Sequence, residues 1–461
     1  MADIDDPVTA ETLAGDACER ALALVGDRAE AVATAAVGVS SLTRFANSRI
    51  HQNVTEDVRG LSLTVARDGK VARAQTTRSD DAGLEALVER ALAAADLRPA
   101  DPEFAGFAPP APVPDVDHWD DATAGATPDQ RAAIVAAFVE AAEGFEAAGY
   151  CSTEAAIHVL VSTTGQRAVS RSSTAQLDGI HRAPGGPAPG SSDGATADGY
   201  AQATSVRLAD LDGAACGARA AAKAASGRDA VELPPGSYEV VLEAKAVASA
   251  LVYPAYMGFN GKSHADGTSF VHLGERQWDA VVDIWDDATD PRALGNAFDA
   301  EGTPKRRHVL VRGGVSAGLT HDRRSARLAG VEPTGHSVGS EAFGGYATDL
   351  FFSGGDQTPD QLVGQVERGL LVTDLWYNRI LDPKTQVVTG LTRNGLFLIE
   401  EGRIAGPVQN LRYTQSIVAG FGPGKVLGLG DDGQLVSSEG GVMHVPSVRL
   451  ASWSFTGNAR G

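Results

Sequence analysis

Few side chains in this 461-residue sequence stand at spacings that could do chemistry. Gly335-His336-Ser337-Val338-Gly339 matches the G-x-S-x-G elbow, in which a strand-to-helix turn exposes a nucleophilic serine. Asp374 and His444 follow in the order a hydrolase triad would need. The flanking residues argue against it: Ala329 to Thr334 does not read as a buried strand, nor Ser340 to Gly345 as a helix, so a glycine-rich loop is the competing reading. His264, Asp266 and His272 are metal-binding types, but lack the helical or Cys-pair spacing that makes a zinc signal specific. Asp283, Asp286, Asp287 and Asp290 surround Trp285 without the glycine and closing glutamate of a calcium loop, and read as a solvated loop. Arg44, Arg49 and His51 could meet a peptide carboxylate from one strand, or simply face water. None of the 53 glycines builds a G-x-x-x-x-G-K-[ST] phosphate loop.

These side chains must be positioned by a mixed set of elements. Helices are expected over Thr9–Leu24, from Asp80-Asp81 to about Leu97, from Thr127-Pro128 to near Gly149, and over 209–226. Strands are expected over Ala31–Leu42 and Thr43–Val54, then a hairpin about Asp68-Gly69, then strands near 150–163, 167–178 and 198–207. Six prolines make 99–117 a semi-rigid connection, and 184–194 is a breaker-rich loop. Later strands are expected at Asp279–Trp285, in a hairpin over Arg307–Thr320 about Gly313-Gly314, and at Thr348–Phe352, Leu370–Leu375, Val387–Leu391 and Gly395–Glu400. The fold class is α+β: a mixed N-terminal domain over 1–230, then a β-rich C-terminal domain over 231–461.

The second domain opens on the central stretch. Tyr238–Leu242 is a short β-branched apolar run entered by Pro234-Pro235-Gly236, and it leads directly into a helix over Ala244–Tyr253 that Pro254 stops or kinks. Further motifs follow in order: Arg59-Gly60 opening its hairpin, Phe298-Asp299-Ala300-Glu301-Gly302-Thr303-Pro304, Leu328 to Gly335, Gly369 to Asp374, and Asn394 to Val408. Together these resemble the TldD/PmbA family (peptidase family U62), which implies a TldD/PmbA-like fold. In the TldD branch the central helix carries a His-Glu-x-x-x-His metal motif, with a further cysteine ligand near the C-terminus. Here no histidine lies between His181 and His264, no carboxylate between Ala244 and Ala265, and no cysteine after Cys216. A hydrolytic metal needs such ligands and a base beside its water. The resemblance is therefore to the PmbA/TldE branch. It implies a subunit of a heteromeric TldD/TldE metallopeptidase acting on unfolded or leader-like peptides. The chain itself has no catalytic, cofactor-binding or metal-binding residue to name; the metal, zinc by expectation, belongs to the TldD-like partner. A stand-alone hydrolase, of serine type through Ser337 or an atypical metallopeptidase, is the alternative. Tyr253-Pro-Ala-Tyr256-Met257-Gly-Phe259 and Trp376-Tyr377 are the aromatic segments that could meet a partner or fill the core.

The bulk numbers agree with a globular protein: 43% hydrophobic and 21% charged residues. With 39 basic against 59 acidic residues, the formal charge of −20 disfavours nucleic acid or an anionic membrane surface as partner. Three cysteines make no disulfide framework, and the acidic start lacks the order of a signal peptide, so a cytoplasmic protein is expected.

Overall fold

A computed structural model describes residues 6–184, 197–438 and 441–459. The fold is α+β, built on three sheets. The first has six strands: β1 (Glu30–Ala46), β2 (Arg49–Arg67), β3 (Lys70–Thr76), β4 (Glu146–Ser162), β5 (Arg167–Arg182) and β6 (Asp198–Ser205), in the order β3-β2-β1-β4-β5-β6. Alternation decides its faces. Ala31, Ala33 and Ala35 of β1 and Leu61, Leu63 and Val65 of β2 turn to one side, where helices Pro7–Val25 and Asp81–Asp96 cover them. The polar alternates, Thr34, Ser62 and Arg73, face the other side and the second half of the chain.

Several local expectations fail for instructive reasons. The break placed between Leu42 and Thr43 lies instead at Asn47-Ser48, both at positive φ (50° and 57°), as a tight hairpin requires. Arg44 therefore sits on β1, while Arg49 and His51 sit on β2. The helix begun by the Thr127–Gln130 capping box ends at Glu140, not near Gly149; Gly144 turns the chain and the alanines that follow join β4, where Ala147 pairs with His181. Pairing overrides the helical preference of alanine there. The helix expected from 209 begins at Gly213, after Asp212 caps it. The loop expected at 184–194 falls almost wholly outside the described residues.

The other two sheets take their strands from residues 236–458. β7 (Gly236–Leu242) lies inside the nine-stranded sheet, parallel to Arg368–Val372 and antiparallel to Val448–Asn458. That place explains why Val240, Val241 and Leu242 are all apolar and buried. The Ala244–Tyr253 helix follows as expected and buries Ala246, Val247, Ala250 and Leu251. Pro254 does not end the chain's coil cleanly: a wider turn runs over Pro254–Gly258 before Phe259 enters the core. In the remaining six-stranded sheet, only Ile284 and Trp285 of the expected Asp279–Trp285 strand are paired, in a strand that runs on to Asp286; Asp279 instead accepts a hydrogen bond from Gly424 N at 2.6 Å.

The two halves are stitched by polar contacts. His118 reaches the Gly295 and Asp290 carbonyls at 2.8 and 3.1 Å, and Gln166 Nε2 donates to Gly302 O at 2.9 Å. The proline-rich 99–117 segment has no helix or strand. It is clamped by the Arg323–Ala329 helix: Arg323 and Arg327 donate to the Gly106 and Phe104 carbonyls, and Arg324 pairs with Asp101 and Glu103.

Helices Pro128–Glu140 and Gly213–Ser226 pack backbone to backbone. A Cβ on Gly213 would stand 2.2 Å from Ile134 O, and one on Gly217 2.3 Å from Phe138 O. Gly217→Ala should therefore destabilise the protein by about 1–3 kcal/mol through overpacking, seen as a lower denaturant midpoint. Gly457→Ala, with nothing within 4 Å of its added Cβ, is the control expected to leave that midpoint nearly unchanged.

Candidate functional site

Motifs far apart in the sequence converge on one groove between the first sheet and the loops of the second half. Its floor is a polar ladder: Thr34 Oγ1 lies 2.8 Å from Ser62 Oγ, which accepts from Arg73 Nη2 at 2.9 Å and Nε at 3.2 Å. Its roof is Ala300, Glu301, Ser337 and Gly339. A cavity of about 180 Å³ at one end shares Thr34, Ser62, Arg73 and Ala300 with one of about 640 Å³, which continues to Arg59, Gly60 and His158.

The roof is held by carboxylates. Asp299 accepts three backbone N–H groups, from Glu301 at 3.0 Å, Thr303 at 2.9 Å and Ser337 at 2.9 Å. Burial raises its pKa against those donors. Glu301 Oε2 accepts from Arg323 N at 2.9 Å, at the start of the helix that Asp322 caps. Burial, reinforced by neighbouring Asp299, pushes Glu301 up to about 8. Behind the loop runs a buried charge network. Lys305 Nζ lies 3.0 Å from Asp349 Oδ2; Asp349 N donates to Asp286 Oδ2 at 2.7 Å; His336 Nε2 lies 3.0 Å from Asp286 Oδ1. Burial opposes ionisation of Asp286, but His336 and Lys305 outweigh it and hold its pKa at about 2.

The elbow serine does not gain a triad. Ser337 is buried, its hydroxyl accepting from Gly339 N at 3.3 Å. His444 stacks on Phe351 in another sheet, and Asp374 accepts from Asn394 Nδ2 at 3.3 Å. The three belong to separate groups of contacts, so the glycine-rich loop is the correct reading of 335–339. Asp266 pairs with Lys262, and His264 and His272 do not converge with it. The four aspartates about Trp285 disperse: Asp283 takes Gly313 N, Asp286 takes His336, Asp287 takes Thr289, and Asp290 takes Arg292. Asp286 is thereby a core residue rather than a loop residue. Arg44 reaches Gln52 across the hairpin, where Arg49 and His51 are exposed. Of the aromatic segments, Phe259 is core, whereas Trp376 and Tyr377 stand on the surface.

A second polar group surrounds the start of the Ala244–Tyr253 helix. Tyr200 Oη donates to Asp178 Oδ2 at 2.6 Å and reaches Gln202 Oε1 at 3.1 Å. Lys245 Nζ stands 5.6 Å above the Tyr200 ring and donates to Ser437 O at 3.3 Å. It also lies within electrostatic reach of Asp178 and Asp374. Burial pushes Asp374 up to about 6 against the pull of Lys245 and Arg393, and raises Asp178 as well. Among the described residues no three His, Cys, Asp or Glu side chains come together as a metal site. At this helix a tethered ammonium already supplies positive charge to the carboxylates, so the residues present do not fit a hydrolytic metal. Sequence reasoning missed this group; its one signal was Lys245, a lone charge in an apolar helical run.

Glu301 gives a pH test. Its carboxyl is raised from 4.5 to about 8 on folding, so the folded chain holds the proton more tightly than the unfolded one. That contribution is complete below pH 4.5 and is lost as pH rises through 8. Glu301→Gln keeps an acceptor for Arg323 N while removing the titration. Its melting temperature relative to the parent should climb steadily between pH 5 and pH 8; a constant difference would show that Glu301 does not titrate in this window.

Comparison with known proteins follows the same geometry. A family model of the PmbA/TldA metallopeptidase C-terminal domain matches residues 235–457, and one of PmbA/TldA metallopeptidase domain 1 matches residues 36–95. The chain is 27% identical over 187 residues to a metalloprotease TldD homolog of Haemophilus influenzae, covering 39% of this chain and 38% of that protein. It is 24% identical over 160 residues to the homolog of Buchnera aphidicola, covering 33% and 32%. These matches thus span less than two fifths of the curated relatives' length. Two solved structures share the fold almost end to end: TldE from Thermococcus kodakarensis, with TM-score 0.85 at 17% identity over 96% of this chain and 99% of that one, and a protein named as a modulator of a DNA gyrase from Thermotoga maritima, with TM-score 0.83 at 19% identity over the same shares. With both family domains matched in order, the chain belongs to the TldD/PmbA family.

Proposed function

We propose that this chain is the TldE/PmbA-like subunit of a heteromeric TldD/TldE-type metallopeptidase acting on unfolded or leader-like peptides. In this reading the catalytic metal, zinc by expectation, sits in a TldD-like partner, and this chain shapes the chamber and completes the partner's site. The observation that carries the proposal is Lys245. Peptide hydrolysis needs an activated water or nucleophile. At the helix where the resemblance places a metal motif, the chain presents an ammonium bonded to a carbonyl and lying over a tyrosine ring. The buried Ser337, without a histidine partner among the described residues, supports the same reading. The groove contributes shape and hydrogen-bonding groups rather than a reaction centre. No helix among the described residues is long and apolar enough to cross a membrane, and the proposed compartment is the cytoplasm.

Two measurements test this. Elemental analysis of the chain purified without chelators should find well under one zinc or iron per chain; a stoichiometric metal would overturn the assignment. In the complex with its TldD-like partner, Ser337→Ala should retain peptide cleavage within about twofold, because loss of a true nucleophile costs orders of magnitude. A collapse of turnover with the fold intact would instead make Ser337 catalytic.

A further inference from the structure

We infer that Trp376 and Tyr377 form the anchor by which this chain docks its catalytic-type partner, a protein surface offering an apolar pocket rimmed by carboxylates. The inference rests on the subunit reading above and names the surface that serves it.

The argument begins with backbone strain. The Leu375–Asp382 strand is an edge of the nine-stranded sheet, and its pairing slips between Trp376↔Leu391 and Arg379↔Thr389, leaving Tyr377 and Asn378 as a bulge opposite Gly390. Tyr377 takes φ of 53°. That left-handed position in a bulge is normally filled by glycine, because a Cβ is disfavoured there. The bulge is fixed from beneath by Asn378. Its carbonyl accepts from Tyr253 Oη at 3.0 Å, its Oδ1 from Tyr413 Oη at 2.6 Å, and its Nδ2 donates to Leu375 O at 3.2 Å and Ser249 O at 3.4 Å. Gly390 makes the room, since a Cβ there would lie 2.3 Å from Asn378 Oδ1.

The effect is to turn Asn378 inward and two large rings outward. Trp376 is 47% and Tyr377 58% exposed, their centroids 5.4 Å apart. Each carries a guanidinium: Arg393 lies 4.1 Å from the Trp376 centroid and Arg379 4.4 Å from that of Tyr377. Arg379 Nη1 also donates to Asn378 O at 2.8 Å, which holds its guanidinium at the bulge, and Arg393 lies within electrostatic reach of buried Asp374; neither is in a salt bridge among the described residues. Leu381, 60% exposed, extends the patch along the edge. Trp, Tyr and Arg are the residues that dominate binding energy at protein interfaces. Strain held at an exposed aromatic by an over-determined neighbour is a feature of functional surfaces. Charge selects the partner's chemistry: on a chain of formal charge −20, this is an arginine-bearing spot that calls for a carboxylate rim.

The test uses the full chain and the TldD-like subunit of the same organism, with affinity measured by calorimetry and stability by thermal melting. Trp376→Ala with Tyr377→Ala should weaken association at least about 30-fold. Arg379→Glu with Arg393→Glu should weaken it too and reduce its salt dependence. Tyr377→Asn, which tolerates the left-handed backbone, should melt no lower than the parent yet bind more weakly, a combination that a merely structural tyrosine would not give. Unchanged affinity in the aromatic variant, or a lowered melting point for Tyr377→Asn, would overturn the inference while leaving the subunit reading intact. Failure of the parent chain to associate at micromolar concentration would overturn that reading, and this one with it. Capture of an unfolded peptide by the chain alone, lost in the aromatic variant, would overturn it by making the patch a substrate surface.

Discussion

The buried pairing of Asp286 with His336 and of Asp349 with Lys305 is the constraint on which the rest of the second half depends. These four side chains lie out of water, where an ion left without its partner costs about 3–5 kcal/mol. Each comes from a different segment: the Ile284–Asp286 strand, the loop before Val338, the residue after Pro304, and the Asp349–Phe352 strand. None can drift without leaving a buried polar partner unmatched. Asp349 N closes the ring by donating to Asp286, so strand pairing and ion pairing fix each other. The 299–303 loop is then set from one side by Lys305 and from the other by Ser337 N on Asp299. The groove wall is thus rigid before any ligand arrives, which is the condition for recognition without a large ordering cost.

The first turn of the Ala244–Tyr253 helix obeys a different logic. A divalent metal and an ammonium both neutralise carboxylates, but they offer different chemistry. A metal keeps a coordination position at which water ionises. Lys245 is covalently tethered, donates to Ser437 O and lies over Tyr200, so it supplies charge without such a position. The neighbourhood follows: burial prevails over Lys245 at Asp178, and over Lys245 and Arg393 together at Asp374, so both carboxyls are raised. Tyr200 donates to Asp178, which spreads that charge further. The cluster therefore has the hydrogen-bonding density of a reaction site, with Gln202 Nε2 left buried and unpartnered among the described residues.

What could be read from the sequence was what is decided locally. The Asp68-Gly69 hairpin, the helix start at Thr127-Pro128 and the passage from β7 into its helix depend on neighbours within a few residues, and all three stand. The family motifs were legible as strings, but not their meeting place. Asp299 reads as one acid in a loop until Ser337 N, thirty-eight positions on, is found on it. Asp286 looked like one of four equivalent aspartates because nothing local marks its partner at 336. The turn at Asn47-Ser48 was missed because an Asn-Ser pair is a weaker turn signal than Asn-Gly, and the break set at Thr43 ignored alternation that runs through that residue. Alanines after Glu140 carried helical propensity, but their pairing with β5 was invisible.

The two aromatic segments show how little composition says about exposure. Tyr253 to Phe259 and Trp376-Tyr377 are both rich in aromatic residues, and periodicity could not separate them. The first follows a helix whose inner face is already buried, so Phe259 continues into the core against Phe270 and Trp278. The second sits in an edge strand, where alternation alone would send one of two adjacent rings inward. The bulge removes that alternation. Asn378, rather than an aromatic ring, then takes the inward place, and its polar atoms are met by Tyr253, Tyr413, Ser249 and Leu375. Four hydrogen bonds on this half-buried asparagine offset the left-handed tyrosine, so the inward hydrogen bonds favour this conformation. The outward rings follow from that decision, because once Asn378 is anchored the backbone at Tyr377 has no other place to go.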